Sequence, residues 1–241
     1  MLFRKRHPAQ EILSIEGLPL PCQLLRSKRK SLAVHVRHDA VEVRAPLHIS
    51  TADVLVFLDK HQRWVKRKLA EKQQRAAESL SLKDGGQVYY KARALRVRLE
   101  NASRAGVEID GDQMIIRGPA ISASKAEAVL KQWLLQQARS WLPQRTRALA
   151  EYLEVGHKLK DVVYRKTRSK WGHCTAGGRI QYNWLIMLAP DGVIDYMISH
   201  EVCHLLHMNH SPAYWQSVAK VCPDYQRYVG WLKQHEHRLW F

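Results

Sequence analysis

The sequence predicts an α+β fold, on three observations. Over residues 1–120, apolar residues alternate with polar ones in short runs, the period of half-buried strands, around one long stretch at helical spacing. Over residues 121–241 the apolar spacing is mainly helical, with a few short strand-like runs between. Within that second region, Ser199-His200-Glu201-Val202-Cys203-His204 sets H-E-x-x-H inside a helical pattern. The expectation is a β-rich N-terminal region of residues 1–120 with one long helix. A compact domain of residues 121–241 follows, built on a small sheet and the H-E-x-x-H helix.

In chain order, residues 1–17 read as a basic lead-in without strong patterning. Leu32, Val34 and Val36 alternate, as do Val41 and Val43, with His38-Asp39 as the turn of a hairpin. The cluster Arg26-Ser27-Lys28-Arg29-Lys30 before them sits on a turn or strand edge, where lysines commonly guard against edge-to-edge association. Ser50 and Asp53 announce a helix whose apolar stripe is Val54, Phe57, Leu58, His61, Trp64, Val65 and Leu69. Its other face carries Lys60, Arg63, Arg67 and Lys68. After the break at Asp84-Gly85-Gly86, short strands are expected at 87–90, 95–99, 107–109 and 114–117, the last two joined by Asp110-Gly111-Asp112. From Ser122 a helical pattern runs to Leu142, where Pro143 is expected to kink it or split off a second helix reaching Tyr152. Strands follow at 161–165 and 179–187, flanking the Trp171-Gly172 loop. Pro190-Asp191-Gly192 opens the H-E-x-x-H helix, which Ile194, Met197, Ile198, Val202 and Leu205 bury. Helices at 212–221 and about 225–235 close the chain. No internal repeat or low-complexity tract is visible.

On a helix, residues four apart lie one turn above each other, so His200 and His204 can reach one metal ion with neutral imidazoles. Glu201 beside them stands where a general base of metal-assisted hydrolysis is needed. A catalytic zinc takes three protein ligands, and His210, just past the expected helix end, is the nearest candidate for the third. Asn209 tolerates the left-handed conformation that ends many helices, and Ser211-Pro212 reads as an N-cap with a first-turn proline. His207 fits a supporting position or plain solvent. Tyr196, one turn before His200, fits a core position better than an oxyanion contact. Asn183 in a strand suits a ligand support or a turn anchor, and Trp171 and Trp215 read as packing.

The chain has 241 residues, 46% hydrophobic and 25% charged, ordinary for a soluble protein with a sizeable core. Its formal charge of +17 is not ordinary. Such a field attracts nucleic acid or another polyanion, and it equally suits a solvated basic face. A basic amphipathic helix can lie on a phosphate backbone or an acidic membrane surface, and is more often simply solvated. Cys22, Cys174, Cys203 and Cys222 show no C-x-x-C spacing, which argues for reduced thiols. Cys203 is adjacent to His204 and so points about 100° away, toward the core. No apolar stretch follows the basic N-terminus and no window could span a membrane, so a cytoplasmic location is expected.

Several runs together, Lys170-Trp171-Gly172-His173-Cys174, Ile180-Gln181-Tyr182-Asn183-Trp184, Leu188-Ala189-Pro190, Ile194-Asp195-Tyr196, His200 to Leu205 and Asn209-His210-Ser211 with Trp215, resemble the YgjP-like metallopeptidases. These are bacterial relatives of the WLM and SprT-type zinc proteases. The resemblance runs from about Leu18 to the end and is densest from Arg168 to Trp215. It implies a cytoplasmic zinc-dependent hydrolase with a compact gluzincin-like catalytic domain. One departure is His173, where the family usually has a small serine. The metzincins share the third-histidine spacing, but His207 stands where they need glycine.

Three functions follow as expectations. The first is a zinc metallopeptidase with one Zn2+ per chain on His200, His204 and His210, and Glu201 as catalytic base, acting on a protein or peptide. Its basic surface can bring it to nucleic-acid-bound substrates, as the kinship with SprT-type proteases implies. The second is a metal-dependent nucleoside triphosphate pyrophosphohydrolase, which no Gly-rich phosphate loop supports. The third, a nucleic-acid-binding module with a structural metal, is disfavoured because structural zinc usually takes four protein ligands. In the peptidase reading, the strand at 179–187 is a candidate edge for an extended substrate.

Overall fold

A computed structural model describes residues 10–13, 18, 21–37, 40–167 and 169–241. Most of the basic lead-in, the His38-Asp39 turn and Arg168, where the family resemblance becomes dense, lie outside those residues. The chain divides into two compact units, residues 1–77 and 78–241. The architecture is mixed α+β, as the alternating and helical patterns require, with three small sheets among the described residues.

In the first unit, β1 (Gln10–Leu13), β2 (Cys22–Ser27), β3 (Ala33–Val36) and β4 (Val41–Pro46) form a sheet in the order β1-β2-β4-β3. The central pair is parallel and the outer pairs antiparallel. A strand thus lies within the region that the sequence left unpatterned. Val41, Val43 and Leu24 on one face of the sheet pack with Val54, Leu58, Val65 and Leu69 of α1 (Thr51–Ala77). The Ser50 hydroxyl accepts the Asp53 N–H at 3.1 Å, capping the helix start. Arg26, in the basic cluster, bonds the Ile49 carbonyl and, at 3.0 Å, the Thr51 hydroxyl, tying the end of β2 to the helix. The stripe of α1 is narrower than its apolar spacing implies: His61 and Trp64 are exposed, because four fully packed aliphatic residues already cover the sheet.

The second unit repeats that arrangement. β5 (Gln87–Tyr90), β6 (Arg93–Asn101), β7 (Gly106–Asp110) and β8 (Gln113–Gly118) take the order β5-β6-β8-β7, again with a parallel central pair, and a long helix follows, α2 (Ala123–Tyr152). The repeat is one of topology, not of sequence. The boundary expected near residue 120 falls inside this unit. Val88, Leu95, Val97, Met114 and Ile116 share one continuous core with α2 and everything after it.

α2 is a single helix through Pro143, not two. Its core residues step by four from Ala126 through Leu130, Leu134, Ala138, Leu142 and Thr146 to Ala150, straight across the proline. Burial of that stripe on both sides outweighs the one helical hydrogen bond the proline removes.

The third sheet has the order β10-β11-β9, from β9 (Asp161–Arg165), β10 (Gly172–Cys174) and β11 (Arg179–Asn183). β9 and β11 are parallel, β10 and β11 antiparallel. The strand expected over 179–187 stops at Asn183, whose side-chain oxygen accepts the Leu185 N–H at 3.2 Å and starts a 3-10 turn over Trp184–Leu188. Residues 184–189 are all buried, which explains why periodicity alone read them as strand. Helices α3 (Asp191–Cys203), α4 (Pro212–Val221) and α5 (Tyr225–His235) complete the unit. Among the described residues, no helix is long and apolar enough to cross a membrane.

Candidate metal centre

The apolar positions Val193, Ile194, Met197, Ile198 and Val202 hold α3 in the core, which fixes the side chains projecting from its other face. His200 lies in its last turn. His204 is the cap residue, so the helix ends five residues earlier than Asn209, and Asn209 does not take the left-handed backbone expected of it. The end comes early because the chain tightens: the N–H groups of Leu205 and Leu206 bond back to Val202 and Cys203 at 2.9 and 3.1 Å. The free carbonyl of Leu205 accepts from Lys158 Nζ at 3.1 Å. That of His200 accepts from the Tyr214 hydroxyl at 3.0 Å.

This tight exit returns His210 over the helix. One ligand atom from each of His200, His204 and His210 lies within 4.8 Å of the others. The Nε2 atoms of His200 and His210 are 3.3 Å apart. Ser211 caps α4 with Pro212 in the first turn, as expected, so the element after the turn is set rigidly.

Neighbours orient each ring. His204 Nδ1 lies 3.0 Å from the His207 carbonyl, which can only accept, so Nδ1 carries the proton and Nε2 keeps its lone pair. It is thus the backbone of His207 that supports the cluster. Tyr196, buried, brings its hydroxyl to 3.4 Å from His200 Nδ1, so it steadies a ring rather than facing the cleft as an oxyanion contact. The His204 ring stacks on Tyr214 at 4.5 Å, and His210 stacks on Trp215 at 5.6 Å. Trp215 therefore does more than fill space. Burial, then the neighbouring imidazoles, pushes His200 down to about 3, and burial lowers His204 as well. Both are neutral at ordinary pH, the form that binds metal.

Glu201 is 2% exposed, and its Oε2 has no hydrogen-bond partner among the described residues. Burial pushes its carboxyl up to about 8, against Lys170 and a backbone hydrogen bond from Cys174, which both favour the charged form. The carboxylate fits only because residue 172 is glycine. A Cβ there would stand 2.2 Å from Glu201 Oε1 and 2.6 Å from its Cδ. Lys170, Trp171, Gly172, His173 and Cys174 form one wall of a cleft of about 390 Å3, with the three histidines, Glu201, Met197 and Met208.

The structure thus brings His200, Glu201, His204 and His210 into one cleft. His173 lines it, while Asn183 stands behind the wall and donates to the Thr167 carbonyl at 3.1 Å. Cys203 is fully buried and free, as expected from its position on the helix. Sequence reasoning missed Gly172 and Lys170. The glycine next to Trp171 was visible, but only the fold shows what crowds it.

Two neutral imidazoles, one half-buried and one buried, a third imidazole returned over them, and a buried carboxylate oxygen without a donor among the described residues fit a metal ion. A family model described as YgjP-like, metallopeptidase domain, matches residues 30–235, across both units. No curated protein and no solved structure shows a significant match.

Proposed function

The chain belongs to the YgjP-like metallopeptidase family, and on that premise we propose that it is a zinc-dependent peptidase with a gluzincin-like catalytic arrangement. The observation that carries the reading is the meeting of three imidazoles and a buried carboxylate in one cleft, one carboxylate oxygen being unpartnered among the described residues. His200, His204 and His210 would hold the ion, one per chain. A zinc ion held there supplies an acidified water and polarises a scissile carbonyl.

Everything else falls to the chain itself. Glu201 takes a proton at Oε2 and passes it to the leaving amine, and its burial raises the proton affinity this needs. Gly172 and the Cys174 backbone hold the carboxylate in place. The substrate edge is β10, not β11. β11 is the central strand of its sheet and has no free side, whereas β10 pairs on one side only and lines the cleft. An extended peptide adding to β10 by backbone hydrogen bonds would lie beside the histidines. Four buried, unpaired cysteines suit a reducing compartment, which supports a cytoplasmic location.

The test is a substrate panel of peptides, unfolded proteins and nucleoside triphosphates, run on the wild type and on Glu201→Gln. The expected result is peptide-bond cleavage that falls about a hundredfold or more in the variant, with zinc retained. Hydrolysis of triphosphates without any peptide cleavage would overturn the assignment of substrate. Full activity in Glu201→Gln would overturn the role of the base.

A further inference from the structure

The charge of the chain is concentrated in its smaller unit. Lys and Arg outnumber Asp and Glu by 16 to 7 in residues 1–77, but by only 23 to 15 in residues 78–241, about twice the length. Part of that charge surrounds an aromatic surface. A cleft of about 310 Å3 runs between β3 and α1, with Trp64, Lys68, Lys72 and Arg75 on the helix, His35 on the strand and Arg37 just past its end. The helix positions recur at four, eight and eleven residues from Trp64, so they share one face. Among the described residues β3 is an edge strand, so the cleft lies beside a sheet edge.

Trp64 is 37% exposed although α1 has a full aliphatic stripe turned to the core. An indole left open among cations is what a stacked base requires, with phosphates on the flanking Lys and Arg groups. Among the described residues, two carboxylates bear on the cleft. Glu71 lines it and bonds Lys68 at 2.6 Å, and Glu42 bonds Arg37 at 3.3 Å, so the cations still outnumber the acids. Lys72 donates to the Val36 carbonyl, a neutral partner, beside the cleft.

We propose that this cleft binds single-stranded nucleic acid, with a base stacked on Trp64 and phosphates held by Arg37, Lys68 and Lys72. A duplex hides its base faces and offers the indole nothing to stack on. An acidic membrane is a poorer fit, because inserting apolar residues should flank the cations. Leu55, exposed and nine residues before Trp64, lies half a turn away around the helix.

The experiment is fluorescence anisotropy with the full chain and a labelled 15-nucleotide single strand, against the same sequence as duplex and phosphatidylserine vesicles. Trp64→Ala should weaken single-strand binding about tenfold or more. Lys68→Glu with Lys72→Glu should weaken it further, and Lys72→Ala should flatten the dependence of log affinity on log salt by about 0.7. Arg104→Glu with Lys131→Glu, exposed in the other unit, should change affinity far less. Circular dichroism melts identify any variant that fails to fold, and Lys72→Ala, a single exposed truncation, keeps the test open if the double reversal does. Unchanged affinity in Trp64→Ala, equal loss from the control pair, duplex binding as tight as single-strand binding, or binding to vesicles alone would each overturn the proposal.

Discussion

Glu201 is buried with one oxygen lacking a donor among the described residues, a costly state for a charged group. Its folded pKa is raised to about 8 from an ordinary 4.5, first by burial. Below pH 4.5 the acid is neutral in both states and costs nothing. As pH rises toward 8 the unfolded chain ionises while the folded one does not, so the metal-free protein loses stability across that window. Urea melts of the metal-stripped wild type and Glu201→Gln should therefore agree near pH 4 and separate by pH 8, with the variant more stable by a few kcal/mol, on the order set by the shift. Identical pH profiles would contradict a desolvated carboxylate. At this scale the meeting of His200 and His204 was legible because helical geometry converts a spacing of four into a shared face. The fit of Glu201 against Gly172 was not, because it joins residues 29 positions apart, from strand and helix, and no local pattern encodes such an approach.

Among elements, the last two helices, α4 and α5, were legible almost to the residue, since buried stripes and the Ser211-Pro212 cap are local signals. The errors came where tertiary burial overrode local rules. Pro143 rides inside α2, and the buried run 184–188 forms a 3-10 turn where a strand was expected. Which strand is an edge depends on pairing with β9, a partner no periodicity reveals. β10 carries the consequence: its first residue is the glycine under the carboxylate. Gly172→Ala should displace Glu201, since the new methyl would collide with carboxylate atoms that a neighbouring backbone also holds. Peptide turnover should drop at least tenfold with zinc content intact, because a small misplacement of a reacting group is expensive. Wild-type turnover in that variant would show that the carboxylate has room to move.

For the molecule as a whole, the class was legible and the division of the chain was not. The second four-stranded sheet looks like the first in its alternation, yet its buried face belongs to the core of the larger unit. The recurring β-sheet order followed by a long helix, twice in the first 152 residues, left no trace in sequence because topology constrains which positions are apolar and not which residues fill them. The whole cleft and its core lie in residues 78–241, so that segment expressed alone should unfold cooperatively and bind zinc as the full chain does. A molten product without zinc would show that residues 1–77 are required for the site. The proposed chemistry depends on a metal held by three histidines, which elemental analysis of the purified protein measures. The wild type should carry about one zinc per chain, His200→Ala and His204→Ala none, and His210→Ala a small fraction that dialysis removes. Full zinc occupancy in His210→Ala, or none in the wild type after reconstitution, would contradict it.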